Sequence, residues 1–345
     1  MYTSLFPIAF PGKSTLPAGA TIMAADVGGT KTDLALFEVK DDGLSQIKEA
    51  VFPSKEWTSL ADMVKHFDTA LPLPDCLSIA FAGPVQHGKA KATNLDWSID
   101  ANELRAELGI SRVLLINDLE AEAYGLAALA AEDVHTIYPG KDAGGGNAGI
   151  IAPGTGLGEA GLFWDGSALR PFATEGGHAD FSVRNKLDWE LLKYLQSVYG
   201  KHVSWERVLS GPGIHALFNF LRDVKDRPEP GRVRELMKGH DPSEAISLGA
   251  REGDPLCVET LRLFAGYLAV EASSLALKLK ATGGIFIGGG ILPKIWNESL
   301  EAVFLEHFFE VGRLRPLVES VPVRLVLNPK TPLLGAAAFG RFAGS

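Results

Sequence analysis

Cysteine is scarce: Cys76 and Cys257 are the only two in 345 residues, and they stand far apart with no Cys-x-x-Cys or Cys-His spacing. A disulfide framework and a structural zinc site are thereby excluded, and a reducing, cytoplasmic setting fits. Basic residues are outnumbered, 33 Lys and Arg against 42 Asp and Glu, for a net charge of −9. A surface for a nucleic-acid backbone needs clustered cations, so nucleic acid is not an expected partner. No apolar run is long enough to span a membrane, so no membrane partner is expected either. Residues 1–20 have no basic stretch ahead of their apolar part and are broken by Pro7, Pro11 and Pro17, which makes a poor secretory signal. Residues 1–21 read instead as a flexible N-terminal extension, with Met23 an alternative start. Gly12-Lys13-Ser14 ends like a P-loop, but Pro7 stands where that motif needs its first glycine, and Pro17 interrupts any following helix.

What the sequence does contain is a repeated turn. A length of 345 residues favours two domains, and 46% hydrophobic with 22% charged residues is the balance of a soluble globular protein. Ile22-Met23-Ala24-Ala25 enters Asp26-Val27-Gly28-Gly29-Thr30, and Leu34-Ala35-Leu36-Phe37 follows, which predicts a β-hairpin. Glycines permit positive φ and leave backbone N–H groups bare, and Thr30 adds a hydroxyl, so this turn suits phosphate oxygens. Asp26 at its mouth is placed to hold magnesium through water. An ordinary Gly-Gly hairpin with a solvated aspartate accounts for the segment equally well. The pattern then returns: residues 148–152 run into Pro153-Gly154-Thr155-Gly156-Leu157-Gly158 and out through Glu159 to Trp164. Two such hairpins opening two successive halves imply two related domains facing one nucleotide across a cleft. Gly156-Leu157-Gly158-Glu159-Ala160-Gly161 also fits Gly-x-Gly-x-x-Gly. The dinucleotide fingerprint must open a helix, however, and this stretch leads to the hairpin signal Asp165-Gly166.

Elsewhere strand and helix alternate. Leu60, Ala61, Met63, Val64 and Phe67 share one helical face, and residues 77–81 form a short apolar strand ending at Gly83-Pro84. Asp100 is placed to cap a helix that Gly109 closes. Val113-Leu114-Leu115-Ile116 predicts a strand buried on both faces, with Asn117-Asp118 at its C-terminal end, where open α/β sheets bind ligands. Residues 139–147, with Gly144-Gly145-Gly146, read as a linker. Helical spacing recurs over 186–199 and 255–280, strands are expected over 283–290 and 321–327, and a last helix over 333–342. Taken singly, Asp118 suits a helix N-cap, and the lone His178 of Glu175-Gly176-Gly177-His178 suits a hydrogen-bonded loop residue.

In order along the chain, Asp26-Val27-Gly28-Gly29-Thr30, Ile116-Asn117-Asp118, Gly154-Thr155-Gly156-Leu157-Gly158, Glu175-Gly176-Gly177-His178, Glu206-Arg207-Val208-Leu209-Ser210-Gly211-Pro212-Gly213 and Gly288-Gly289-Gly290-Ile291 resemble the bacterial glucokinase family of hexokinases. The likeness covers residues 22 to about 340. The Cys- and His-bearing zinc segment of the related repressor/open-reading-frame/kinase group is missing, which points to the zinc-free branch. The resemblance implies an actin-like (ribonuclease H-like) duplicated α/β fold of two domains, with a nucleotide and sugar cleft between them. Residues 22–140 would be the small domain, with the first phosphate hairpin and the catalytic aspartate. Residues 148–345 would be the large one, with the second hairpin, sugar ligands and adenosine turn. The implied reaction is magnesium-dependent transfer of phosphate from ATP to the 6-hydroxyl of D-glucose, the entry step of glycolysis.

By position, Asp118 is the implied general base, and Asn94, Asn117, Asp118, Glu175, His178 and Glu206 are the implied sugar ligands. Asp26 is the implied magnesium-side carboxylate. Gly28, Gly29, Thr30 and Lys31 with Gly154, Thr155 and Gly156 form the implied phosphate loops, and Gly288, Gly289 and Gly290 the adenosine turn. Lys31 stands where family members often carry asparagine, and it either contacts phosphate or points to solvent. The family also implies a cytoplasmic homodimer. A kinase of another hexose or an amino sugar is an alternative. A sugar-sensing binding protein is another, although sensing requires neither Asp26 nor Asp118.

Overall fold

The computed structural model describes residues 5–12, 15–67, 72–91, 97–141 and 144–342. The chain divides into two units, one of Met1–Val134, Asp165–Ala173 and Asn328–Ser345, the other of His135–Trp164 and Thr174–Leu327.

In the first unit, β1 (Thr21–Val27), β2 (Lys31–Lys40), β3 (Gly43–Pro53), β4 (Cys76–Phe81) and β8 (Arg112–Asn117) form one sheet in the order β3-β2-β1-β4-β8. The expected hairpin is present as antiparallel β1 and β2, while β4 runs parallel to both β1 and β8. Side chains alternate across a strand, so one hairpin serves two cores. Met23, Ala25, Val27, Leu34 and Leu36 share a core with α1 (Leu60–Phe67) and α2 (Ala101–Leu108). Ala24, Ala35, Phe37, Ala80 and Ile116 share another with α3 (Asp118–Gly125) and the last helix, α12 (Thr331–Phe342). The Asp100 carboxylate caps α2 by accepting from the N–H groups of Asn102 and Glu103, and Gly109 closes it at φ 70°. Three short strands, β5 (Val85–Gln86), β6 (Lys89–Lys91) and β7 (Ser98–Asp100), form a separate small sheet.

The described part of the N-terminal segment is hydrogen-bonded to the first unit. The Ala9 N–H donates to the Leu169 carbonyl of β12 (Leu169–Ala173) at 2.8 Å, and the Leu169 N–H donates to Pro7 at 2.7 Å. Phe10 stacks on Tyr124 of α3 and on Phe342 of α12, with ring centroids 5.1 Å and 4.6 Å away. The Leu16 N–H reaches the Arg341 carbonyl, and Ala20 accepts from Val39 of β2.

In the second unit, β9 (Val134–Tyr138), β10 (Ala148–Pro153), β11 (Leu157–Trp164), β13 (Gly284–Ile287) and β14 (Val323–Val326) lie in the order β11-β10-β13-β14-β9. Strand β10 is antiparallel to β11 and parallel to β13, which is parallel to β14. This repeats the arrangement of β2, β1, β4 and β8, so the duplication is one of topology as well as of turns. The helices are α4 (Lys186–Tyr199), α5 (Gly211–Asp223), α6 (Gly231–Leu236), α7 (Pro242–Arg251), α8 (Pro255–Leu279), α9 (Leu292–Ile295), α10 (Glu298–Phe308) and α11 (Arg315–Val318). Helix α8 is apolar nearly all round and passes through the core, where Phe264, Leu268 and Leu275 join Phe218 and Phe220 of α5.

Candidate active site

At the C-terminal edge of the first sheet, parallel pairing sets Val27 beside Phe81 and Phe81 beside Asn117, with Asp26 beside Ala80. The 28–30 turn follows, closed by a 3.0 Å bond from the Gly28 N–H to the Lys31 carbonyl. Gly28 does not take a positive φ. Its lack of a Cβ matters because that atom would sit 3.1 Å from the Lys31 carbonyl. Two residues that no motif flagged hold this turn. The buried Ser54 donates its hydroxyl to the Gly28 carbonyl at 2.7 Å and its N–H to Thr30 at 3.0 Å, and the buried Thr32 hydroxyl lies 3.0 Å from the Ser54 hydroxyl.

The cap of α3 falls on Asn117 rather than Asp118. Asn117 Oδ1 accepts from the N–H groups of Leu119 and Glu120 at 2.9 Å and 3.2 Å. Its Nδ2 donates to the Gly83 carbonyl at 3.1 Å and to Asp118 Oδ1 at 3.0 Å. Asp118 Oδ1 also accepts from the Leu119 N–H at 3.0 Å. Asp118 is therefore the first residue of the helix, held in place by its neighbour's amide. Burial pushes the Asp26 carboxyl up to about 7, the charges of Asp118 and Asp33 add to this, and Lys31 opposes it. Lys31 Nζ pairs with Asp33 Oδ2 at 2.6 Å on a side chain 64% exposed. Crowded carboxylates beside one exposed cation suit a divalent cation. Among the described residues no three metal-ligating side chains cluster. Asn94 lies outside the described residues.

The second unit gathers the other expected residues. The 154–156 turn is closed by a 2.8 Å bond from the Gly154 N–H to Gly156, and Gly154 accepts from the Gly211 N–H at the start of α5. Glu206 Oε2 accepts from the Leu157 N–H at 3.1 Å, so this carboxylate sits on the turn itself. Its neighbour Trp205 is 1% exposed and packs edge-on against Phe181 at 5.0 Å, which anchors the segment. The Trp205 N–H donates to Ala179 at 2.9 Å, tying the Glu206 segment to the 175–178 turn. That turn lies close against β11: a Cβ on Gly177 would come within 2.0 Å of the Leu157 carbonyl. Glu175 and His178 are exposed, and neither side chain has a hydrogen-bond partner among the described residues. Gly288 donates to the Ile151 carbonyl at 2.9 Å. Gly289 follows at φ +79°, where a Cβ would also strike the Pro153 carbonyl at 2.3 Å, so the 288–290 turn lies beside the end of β10. A cavity of about 240 Å³ opens elsewhere in this unit, lined by Ser247, Arg251, Arg262 and Ile295 among others, and none of the expected site residues lines it.

The sequence pattern of the family described as Glucokinase matches residues 23–342. Glucokinase of Nostoc punctiforme is 41% identical over 332 residues, spanning 92% of this chain and 97% of that relative. The crystal structure of glucokinase from an Antarctic psychrotroph matches with a TM-score of 0.78 at 33% identity, covering 93% of this chain and 98% of that one. A ROK family glucokinase from Streptomyces griseus, solved with glucose and AMPPNP, shares the fold at a TM-score of 0.66 and 21% identity, over 93% of this chain and 99% of that one. In sequence over most of its length, and in its actin-like, duplicated α/β fold, the chain belongs to the glucokinase family of hexose kinases.

Proposed function

We propose that this kinase transfers the terminal phosphoryl group of ATP to the 6-hydroxyl of D-glucose, giving glucose 6-phosphate and ADP, with Asp118 as general base. The observation that supports this most is the electrostatic pairing of Asp118 with Asp26 at one sheet edge. One carboxylate suits a proton and the other a cation. A sugar hydroxyl is a weak acid, so an aspartate serves by taking its proton late, as the bond to phosphorus forms. Orientation then matters more than basicity, and the bonds from Asn117 Nδ2 and the Leu119 N–H supply it.

Glu175, His178 and Glu206 are the sugar ligands in this reading, and Asn117 joins them through the amide that also holds Asp118. Groups that bind hydroxyls reject an epimer because it leaves them unpaired. The 28–30 and 154–156 turns and Lys31 serve the phosphates, and the 288–290 turn serves the adenosine. Magnesium, held by Asp26 through water, neutralises charge on the transferred phosphoryl group. A homodimer working in the cytoplasm, where ATP is supplied, is part of the same proposal and rests on the family.

The test is coupled phosphorylation of glucose, mannose, fructose, galactose, glucosamine and N-acetylglucosamine with ATP and magnesium, each component omitted in turn. Selective turnover of glucose that requires both ATP and magnesium is expected. Preference for another sugar would overturn the substrate. No turnover of any sugar, with glucose still raising the melting temperature, would overturn the enzyme reading in favour of a sensor.

A further inference from the structure

One residue outside the first hairpin turn binds carbonyls at both of its ends. Ser54 follows β3 and is 0% exposed; its hydroxyl donates to the Gly28 carbonyl at 2.7 Å and its N–H to the Thr30 carbonyl at 3.0 Å. A hydroxyl has one hydrogen and a carbonyl can only accept, so the Ser54 hydrogen goes to Gly28, and the Thr32 hydroxyl, 3.0 Å away, donates to Ser54. Thr32 is also 0% exposed, which shields these bonds from bulk water. A β-turn ordinarily bonds the N–H of its fourth residue to the carbonyl of its first. Here that would join Lys31 to Gly28, a bond absent among the described residues, and Ser54 takes the carbonyl instead. In the second turn the Gly154 carbonyl is held by a backbone group, the Gly211 N–H.

A peptide unit is planar and trans, so its N–H points opposite to its carbonyl. Holding the Gly28 carbonyl toward Ser54 therefore turns the Gly29 N–H away from Ser54, and holding the Thr30 carbonyl does the same for the Lys31 N–H. The N–H groups of Gly29 and Thr30 have no acceptor among the described residues. We propose that Ser54 is a positioning residue for phosphoryl transfer: it aims the Gly29 and Lys31 N–H groups at the phosphates of ATP, and Thr32 fixes the direction in which Ser54 donates. The proposal rests on the reading of the 28–30 turn as a phosphate turn. Backbone N–H groups bind an anion well when several are fixed on one place beforehand. Without the Ser54 hydroxyl the Gly28 carbonyl is left to the Lys31 N–H, and the peptide between Gly28 and Gly29 rotates. Neither glycine has a side chain to resist that rotation, and the Gly29 N–H leaves the phosphates.

The test is steady-state kinetics of Ser54→Ala with each substrate varied in turn. KM for magnesium-ATP should rise about fivefold or more, the scale of one lost hydrogen bond, while KM for glucose stays within about twofold of wild type. Ser54→Cys keeps a weaker donor at the same place and should lie between the two. Inhibitors that compete with ATP divide the nucleotide site: tripolyphosphate should inhibit Ser54→Ala less than wild type, and adenosine should inhibit both alike. An unchanged KM for ATP, equal rises in both KM values, or equal losses with both inhibitors would overturn the proposal, since a loss of packing alone would not single out the phosphates. A second readout needs no variant. In ¹H–¹⁵N spectra of wild type the Gly29 amide should shift on adding magnesium tripolyphosphate, and a stationary Gly29 resonance would also overturn the proposal. Thr30→Val, on the turn itself, separates the two readings. If it raises KM for ATP while Ser54→Ala does not, only the role of Ser54 is lost, and if neither raises it, the assignment of the turn to phosphate falls as well.

Discussion

Asn117 and Asp118 are adjacent, and either could cap a helix. The structure gives the cap to Asn117 and leaves Asp118 oriented by it. Asn117→Ala should therefore destabilise the protein by about 1 kcal/mol in urea unfolding, the usual cost of a lost cap, and should also lower kcat. A loss of stability with unchanged kcat would separate the cap from the chemistry. Asp26 yields a pH prediction. Its carboxyl is raised to about 7, so protons are bound on folding, and its contribution to stability falls as pH rises from the ordinary aspartate range toward 7. A cation must displace that proton, so affinity for magnesium-ATP should weaken as pH drops below about 7, and Asp26→Asn should remove this dependence. An identical acid limb in Asp26→Asn would assign it to another group. At this scale the two hairpin turns were readable because glycines between apolar runs signal a tight turn. Ser54 and Thr32 were not readable, since Ser54 reaches Gly28 only through the register that sets Lys31 opposite Pro53.

The elements that the sequence displayed are those with a strong local signal. Strand β8 is a continuous apolar run, α2 has its own cap and glycine stop, and the two hairpins carry their turns with them. Strand β3 was not displayed, because it is an edge strand whose pattern includes exposed Ile47 and Val51. Helix α12 showed its apolar face but not its partner: Leu333, Ala336 and Ala337 pack on the core of the first unit, although the chain arrives there from the second. Nothing in an apolar stripe names the surface it will cover. The N-terminal segment is the same case, since Phe10 became legible only once Tyr124 and Phe342 stood on either side of it. Phe10→Ala should lower the melting temperature by removing a partly buried ring and two aromatic contacts of about 0.5–1.5 kcal/mol each, with KM for glucose unaffected. An unchanged melting temperature would return the segment to the role of a loose extension. Gly177→Ala should raise KM for glucose, because its Cβ would displace the 175–178 turn from the Leu157 carbonyl, and a normal KM would show that the turn tolerates the shift.

Across the whole molecule, two units of like topology each carry one glycine-rich hairpin turn, and the family match spans both. With a net charge of −9 there is no excess of cations for a basic binding surface, so in the proposed function the negative substrates are met by backbone N–H groups, Lys31 and a cation. Such a site depends on the placement of a few groups. Its proton acceptor is therefore the most direct place to test it. The measurement is kcat for glucose phosphorylation by Asp118→Asn at saturating glucose and magnesium-ATP, with the melting-temperature rise on adding glucose recorded on the same sample. A kcat at least ~10²-fold below wild type with the glucose-induced rise retained is expected, in line with the loss of a general base. Wild-type kcat in the folded, glucose-binding variant would contradict the assignment of Asp118 and the mechanism built on it.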